Sequence, residues 1–164
     1  MDAETTEPSP TEAPIWFHVS TRLWRPGEQI PAGHFGDMLR QTGGAADQKF
    51  TMWWELVFET YRHAFGIQPS RLHCVFVTET LGVALAFRDR FRGGTARIYR
   101  VSALHPDTPT FRGDFEVFGQ IQSALDELPE RARRYWTETE RITPEVLVGG
   151  PVVVVEEVTP VPAG

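Results

Sequence analysis

Cysteine and lysine are almost missing from this 164-residue chain: Cys74 and Lys49 are the single examples of each. One cysteine cannot form an intramolecular disulfide, so nothing in the composition points to an oxidising compartment. No apolar run approaches the roughly 20 residues that span a bilayer. The amino-terminal MDAETTEPSPTEAP is acidic and rich in Pro and Thr, the opposite of the basic, then apolar, start of a signal peptide. A soluble, cytoplasmic protein without membrane contact is the expectation. A basic field is missing as well. The formal charge is −6, and Asp2, Glu4, Glu7 and Glu12 precede the first arginine. The remainder is therefore near neutral, and no dominant positive potential drives nucleic-acid binding.

The usual chemical signatures are also absent. There is no G-x-G-x-x-G, no P-loop and no G-x-S-x-G. His63, His73 and His105 lack metal-ligand spacing, and one cysteine cannot complete a zinc set, so no metal is expected. His73 and Cys74 are neighbours in an extended segment, which sends their side chains to opposite faces and excludes a mutual nucleophile–base pair.

What is present suits a folded core: 41% apolar residues and five tryptophans. Residues 1–13 read as a solvated acidic tail, and 14–160 as a single domain. IWFHVS alternates, with Trp16, His18 and Ser20 on one face and Ile15, Phe17 and Val19 on the other. Residues 33–50 contain four glycines without a lasting period and read as a long loop. Residues 51–65 repeat apolar groups at helical spacing behind Thr51, a candidate N-cap, and Gly66 ends the run. Residues 72–80 and 96–104 read as strands, with LGVALAFRDRF between them as a helix stopping at Gly93-Gly94. Residues 115–137 read as helical, with Pro129 suited to a first turn. EVLVGG and PVVVVEEV close the domain as strands. Helices and strands mix without regular βαβ alternation, which predicts an α+β fold around antiparallel or mixed sheet.

The candidate functional residues are few. His18 is either a cleft residue or a core histidine bonded to a carbonyl. Phe76 and Phe87 are core residues unless they line a ligand. Glu145, flanked by Val146, Leu147 and Val148, has to be exposed at the strand end, paired or chemically engaged, because burying a lone charge is very costly. Arg88, Arg90, Arg92, Arg97 and Arg100 cluster around a glycine turn, either as a solvated rim with Asp89 or as a phosphate contact.

Taken together, FHVS, VFVTETLGVALAF and PEVLV resemble the ADP-ribosyltransferase superfamily. The run Leu23, Pro26-Gly27, Ile30 is similar to small bacterial members, and PSR, ARRYW and EVLV resemble an uncharacterised bacterial domain family of the same type. The resemblance implies two small antiparallel or mixed sheets forming a cleft with flanking helices. It implies nicotinamide adenine dinucleotide (NAD) as a consumed substrate, with ADP-ribose passed to a protein, a nucleic acid, a small molecule or water. His18 would bond the ribose hydroxyls, the Val19 backbone the carboxamide, and Ser20 would support that strand end. Phe76 and Phe87 would sandwich the nicotinamide ring in place of the usual tyrosines. Glu145 would stabilise the oxocarbenium-like state, where positive charge appears only as the glycosidic bond breaks. Val19 stands where many relatives have glycine, and no acceptor-reading motif precedes Glu145. Alternatives are a non-catalytic ADP-ribose or nucleotide-binding module, an RNA 2′-phosphotransferase using the arginine cluster, and a structural domain in which His18 merely bonds a carbonyl.

Overall fold

Alternating side chains in IWFHVS and RIYRVSA build two neighbouring strands, and around them the chain lays down two sheets and a helical layer. The structure, a computed structural model, describes residues 13–42, 46–118 and 125–158. The order is β1 (Ile15–Ser20), β2 (Gln29–Ile30), α1 (His34–Thr42), α2 (Ala46–Phe65), β3 (Val75–Val77), α3 (Leu81–Phe91), β4 (Arg97–Ala103), β5 (Thr110–Asp114), α4 (Leu128–Thr137), β6 (Pro144–Val148) and β7 (Val152–Glu157). Short 3₁₀ turns occupy Arg71–His73, Phe115–Phe118 and Leu125–Glu127.

One sheet runs β1-β4-β7-β2 and the other β3-β6-β5, with every pairing antiparallel. They join at a single rung, where Phe17 and Thr78 exchange backbone hydrogen bonds of 2.9 and 2.8 Å. Trp16, Tyr99, Val101 and Val154 of the first sheet bury against Val75, Val77, Val146 and Val148 of the second. The opposite face of the second sheet, represented by Leu147, packs under α2 and α4 through Trp54, Phe58, Ala132, Tyr135 and Trp136. Because side chains alternate along a strand, β6 divides its residues: Val146 and Val148 turn to the sheet interface, Glu145 and Leu147 to the helices. The α+β class expected from the element pattern is the class observed. No helix among the described residues is long and apolar enough to cross a membrane.

The loop expected over 33–50 is instead α1 followed by the start of α2. Glycine misled here, since in mid-helix it weakens a helix by about 1 kcal/mol relative to alanine. At Gly36 the reason is close packing: a Cβ there would lie 2.2 Å from the Leu72 carbonyl oxygen, so only glycine lets α1 lie against the turn before β3. Since α2 begins at Ala46, Thr51 is interior to it rather than its cap. The strand expected over 72–80 shrinks to β3, because Ser70 accepts from the Leu72 amide and caps a 3₁₀ turn. Thr80 caps α3 through the Val83 amide, and Gly93 and Gly94, at φ 59° and 72°, lead the chain away after it. Pro129 lies in the first turn of α4, as its fixed φ favours. Of the helical region expected over 115–137, Phe115–Phe118 and Leu125–Glu127 are 3₁₀ turns and Leu128–Thr137 is α4, while 119–124 lie outside the described residues, as do 1–12 of the expected tail.

Two glycine substitutions separate packing from propensity. Gly36→Ala should lower stability by about 1–3 kcal/mol, as overpacking does. Gly82→Ala on α3, where a Cβ meets nothing within 4 Å, should raise it by about 0.4–1 kcal/mol. Equal effects in urea denaturation would contradict the packing account.

Candidate functional site

Trp16 lies in the core between the sheets, so alternation turns His18 and Ser20 toward the same side. His18 Nδ1 lies 2.9 Å from the carbonyl oxygen of Phe76 on β3. A carbonyl only accepts, so Nδ1 carries the proton in that bond. Burial pushes the His18 pKa below the ordinary 6.5; the Phe76 bond opposes this, and the charges of Arg92 and His34 reinforce it. The ring is therefore neutral at pH 7, and Nε2 is left as a lone-pair acceptor with no protein partner among the described residues. Ser20 Oγ accepts from Trp24 Nε1 at 3.2 Å and from the Arg22 amide at 3.1 Å, which ties down the turn after β1. Val19 stands opposite Ile98 on β4.

The two phenylalanines expected to form a sandwich have different ring neighbours. Phe76 is opposite Leu147 and turns its ring toward the helices. Phe35 of α1 stands edge-on to it at 5.5 Å, and the Arg71 guanidinium lies 4.8 Å from its centre. Phe87 packs instead against Phe91, tilted, and Phe115, edge-on, at 5.1 and 5.2 Å between centroids. His18 thus touches the backbone of Phe76, while its ring belongs to the other side of β3.

Glu145 is also on that other side. Its carboxylate, on a residue only 5% exposed, accepts from Arg71 Nη1 and, at 2.6 Å, from the Tyr135 hydroxyl. Arg71 Nε reaches the Glu55 carboxylate at 3.1 Å, and Nη1 lies 2.6 Å from the Tyr135 hydroxyl. Opposite Glu145 on β5 stands Gly113, where a Cβ would strike the Tyr135 ring and hydroxyl at 2.3–2.6 Å; the phenol occupies the space of a side chain. The strings PSR, ARRYW and EVLV, distant in sequence, supply Arg71, Tyr135 and Glu145 to this one network. Glu145 is therefore a paired carboxylate in the helix layer, not brought to the side that His18 faces.

The electrostatics follow from two buried carboxylates sharing one guanidinium. Burial disfavours the Arg71 charge, but Glu145 and Glu55 outweigh it and hold the pKa well above the ordinary arginine value. Burial raises the Glu55 carboxyl against the pull of Arg71, with Glu145 and Glu59 adding to the rise. Burial likewise drives the Tyr135 phenol and the Cys74 thiol well up, so neither is an activated nucleophile. Sequence reasoning missed Arg71, Glu55 and Tyr135. The available signal was Glu55 inside the apolar run WWELVF, which demands a partner. Among the described residues, no group of three or more His, Cys, Asp or Glu is placed to hold a metal.

The network has a pH signature. A Glu55 pKa raised above 4.5 in the folded chain contributes stability that is complete below that pH and is lost as pH rises through the raised value. Glu55→Gln, which has no proton to lose, should therefore gain stability relative to the parent between about pH 4.5 and neutrality. Urea denaturation across that window checks it, and a constant difference would count against it. Arg71→Met, which strands two carboxylates, should cost about 3–5 kcal/mol at pH 7 and less in acid.

No curated protein matches the chain. A family model described as "Protein of unknown function (DUF2441)" matches residues 36–160. That span is most of the chain and includes Arg71, Phe76, Phe87, Tyr135 and Glu145, while His18, Val19 and Ser20 precede it. The chain belongs to the DUF2441 family.

Proposed function

We propose that the chain binds a nucleotide of the NAD or ADP-ribose type on the side of β3 that His18 faces, in an ADP-ribosyltransferase-like fold, and that it does so without cleaving it. The observation that carries this is the fixed tautomer of His18. Its Nδ1 is spent on the Phe76 carbonyl, as a purely structural histidine would spend it, but burial keeps the ring neutral and leaves Nε2 as an acceptor. A ribose hydroxyl is a donor of matching kind. Ser20 and Trp24 brace the strand end beside it.

Cleavage makes a further demand. An oxocarbenium-like state needs a carboxylate near the anomeric carbon, and only a group that meets the charge as it develops accelerates the reaction. Glu145, the carboxylate the sequence offers, is committed to Arg71 and Tyr135 on the far side of the sheet. Phe76 and Phe87 each have other ring neighbours. These two facts favour binding over transfer.

Calorimetry with NAD and ADP-ribose tests the reading. The parent should bind at least one of them, and His18→Ala should weaken that binding about tenfold, the loss of a hydrogen bond worth about 1–1.5 kcal/mol. A thermal melt of the same variant separates this from the structural role, which would lower stability and leave affinity intact. Nicotinamide release should stay at background in the parent and in Glu145→Gln alike. Release that the parent shows and Glu145→Gln abolishes would establish the transferase instead.

A further inference from the structure

Helix α2 buries one side against the second sheet and leaves the other bare. Trp54, Phe58 and Arg62 turn inward, so Trp53, Leu56, Thr60, His63 and Ala64, on the opposite face, turn out. Trp53 is 62% exposed and Leu56 55%. Between Trp53 and Ala64 no Asp, Glu, Lys or Arg stands free in solvent: Glu55 and Arg62 are buried, and Glu59 meets Arg62 at 2.7 Å. The outward face of α4 is different, with Arg133 on Glu130 at 2.5 Å and Arg134 on Glu138 at 2.7 Å. Ion pairs of that kind suit a solvated helix face, whereas an exposed aromatic without charge suits the centre of an interface.

Leu56, Glu59, Thr60, His63 and Ala64 line an open groove of about 510 Å³. Residues 56, 59, 60 and 63 stand at i, i+3, i+4 and i+7, the four positions that enclose a hole for a side chain of a facing helix. The polar groups of this hole already have neighbours. Thr60 Oγ1 donates to the Leu56 carbonyl at 2.8 Å. Glu59 accepts from Arg62 and, at 2.9 Å, from the Ser70 hydroxyl, and His63 Nδ1 lies 3.5 Å from Arg62 Nη2. An apolar knob therefore suits it better than a polar one.

We propose that the hole takes Trp53 of a second copy of this chain, in an antiparallel, two-fold pairing of α2 with α2. Trp53, Leu56, Thr60 and His63 follow the 3-4-3 spacing of a coiled-coil seam, with the bulky apolar half first and the polar half second. Antiparallel pairing lays each bulky half over the other copy's hole. Parallel pairing would set Trp53 against Trp53 and leave both holes empty. A knob and a hole on one face are what a closed two-fold contact requires. Leu56 and Val57 then meet their copies near the axis, and the Trp53 indole N–H, a donor only, comes to the rim where Glu59 keeps acceptor capacity. With Glu59 paired to Arg62, the contact buries no unpaired charge. About six side chains per copy fall well below the roughly 20–30 a side of a standard interface, so the dimer is weak and dissociates on dilution. It lies in the helix layer, away from His18, and is independent of the nucleotide reading.

Sedimentation equilibrium of the full chain tests the pairing. Over about 1–500 μM the parent should pass from monomer to dimer, with a Kd of about 10–100 μM and no larger species. Trp53→Ala removes the knob and Ala64→Glu blocks the hole; each should weaken association about tenfold or more, with thermal melts like the parent's. Ile142→Ala, at a residue 83% exposed on another element, is the control and should dimerise like the parent. An equimolar mixture of Trp53→Ala and Ala64→Glu should associate more strongly than either alone, since one knob and one open hole remain. A parent monomeric at every concentration would overturn the pairing and leave the hole to a helix of another protein. A dimer that Trp53→Ala leaves intact, an equal loss in Ile142→Ala, a mixture no stronger than its parts, or growth beyond the dimer would each overturn it too.

Discussion

A guanidinium taken out of water beside two carboxylates leaves the surrounding chain little freedom, because each buried charge loses far more than a hydrogen bond if its partner drifts. Arg71 is that group here. Its partners come from α2 (Glu55), β6 (Glu145) and α4 (Tyr135), and it stands four residues before the start of β3. Burial of Trp54, Phe58, Leu128, Trp136 and Leu147 supplies a non-directional drive to put helices on the sheet. The hydrogen bonds of Arg71 are directional, so they select how α2 and α4 sit over β6.

The same strand then separates two electrostatic regimes. On the helix side of β3, charge is balanced internally, with Arg71 over the Phe76 ring and carboxylates around it. At the edge of β3, the Phe76 carbonyl holds a neutral His18. Three residues of strand keep a buried ion cluster and the neutral His18 apart. That separation leaves Glu145 buried in an ion network and His18 half-buried on a backbone carbonyl.

Some of this was legible in the residues. Alternation marked β1, apolar β-branched runs marked β4, β6 and β7, and the Gly93-Gly94 pair marked the end of α3, because strand composition and helix ends are local properties. The short strands β2 and β5 escaped, since neither carries an alternation long enough to stand out. Helix α1 escaped because Gly36 reads as a breaker until Leu72 is placed against it. Glu145 was legible as a carboxylate in need of a partner, but the partner is 74 residues away in sequence.

By itself the sequence determined that this is a mixed α and β domain, that His18 shares a face with Trp16, and that Glu145 cannot be buried alone. All three follow from residue spacing and the cost of isolated charge. Only the tertiary structure decided which side of β3 each group occupies, and that Arg71 and Tyr135 answer Glu145. Those facts depend on which distant elements pair, and pairing is settled by packing across the whole core rather than by any local pattern.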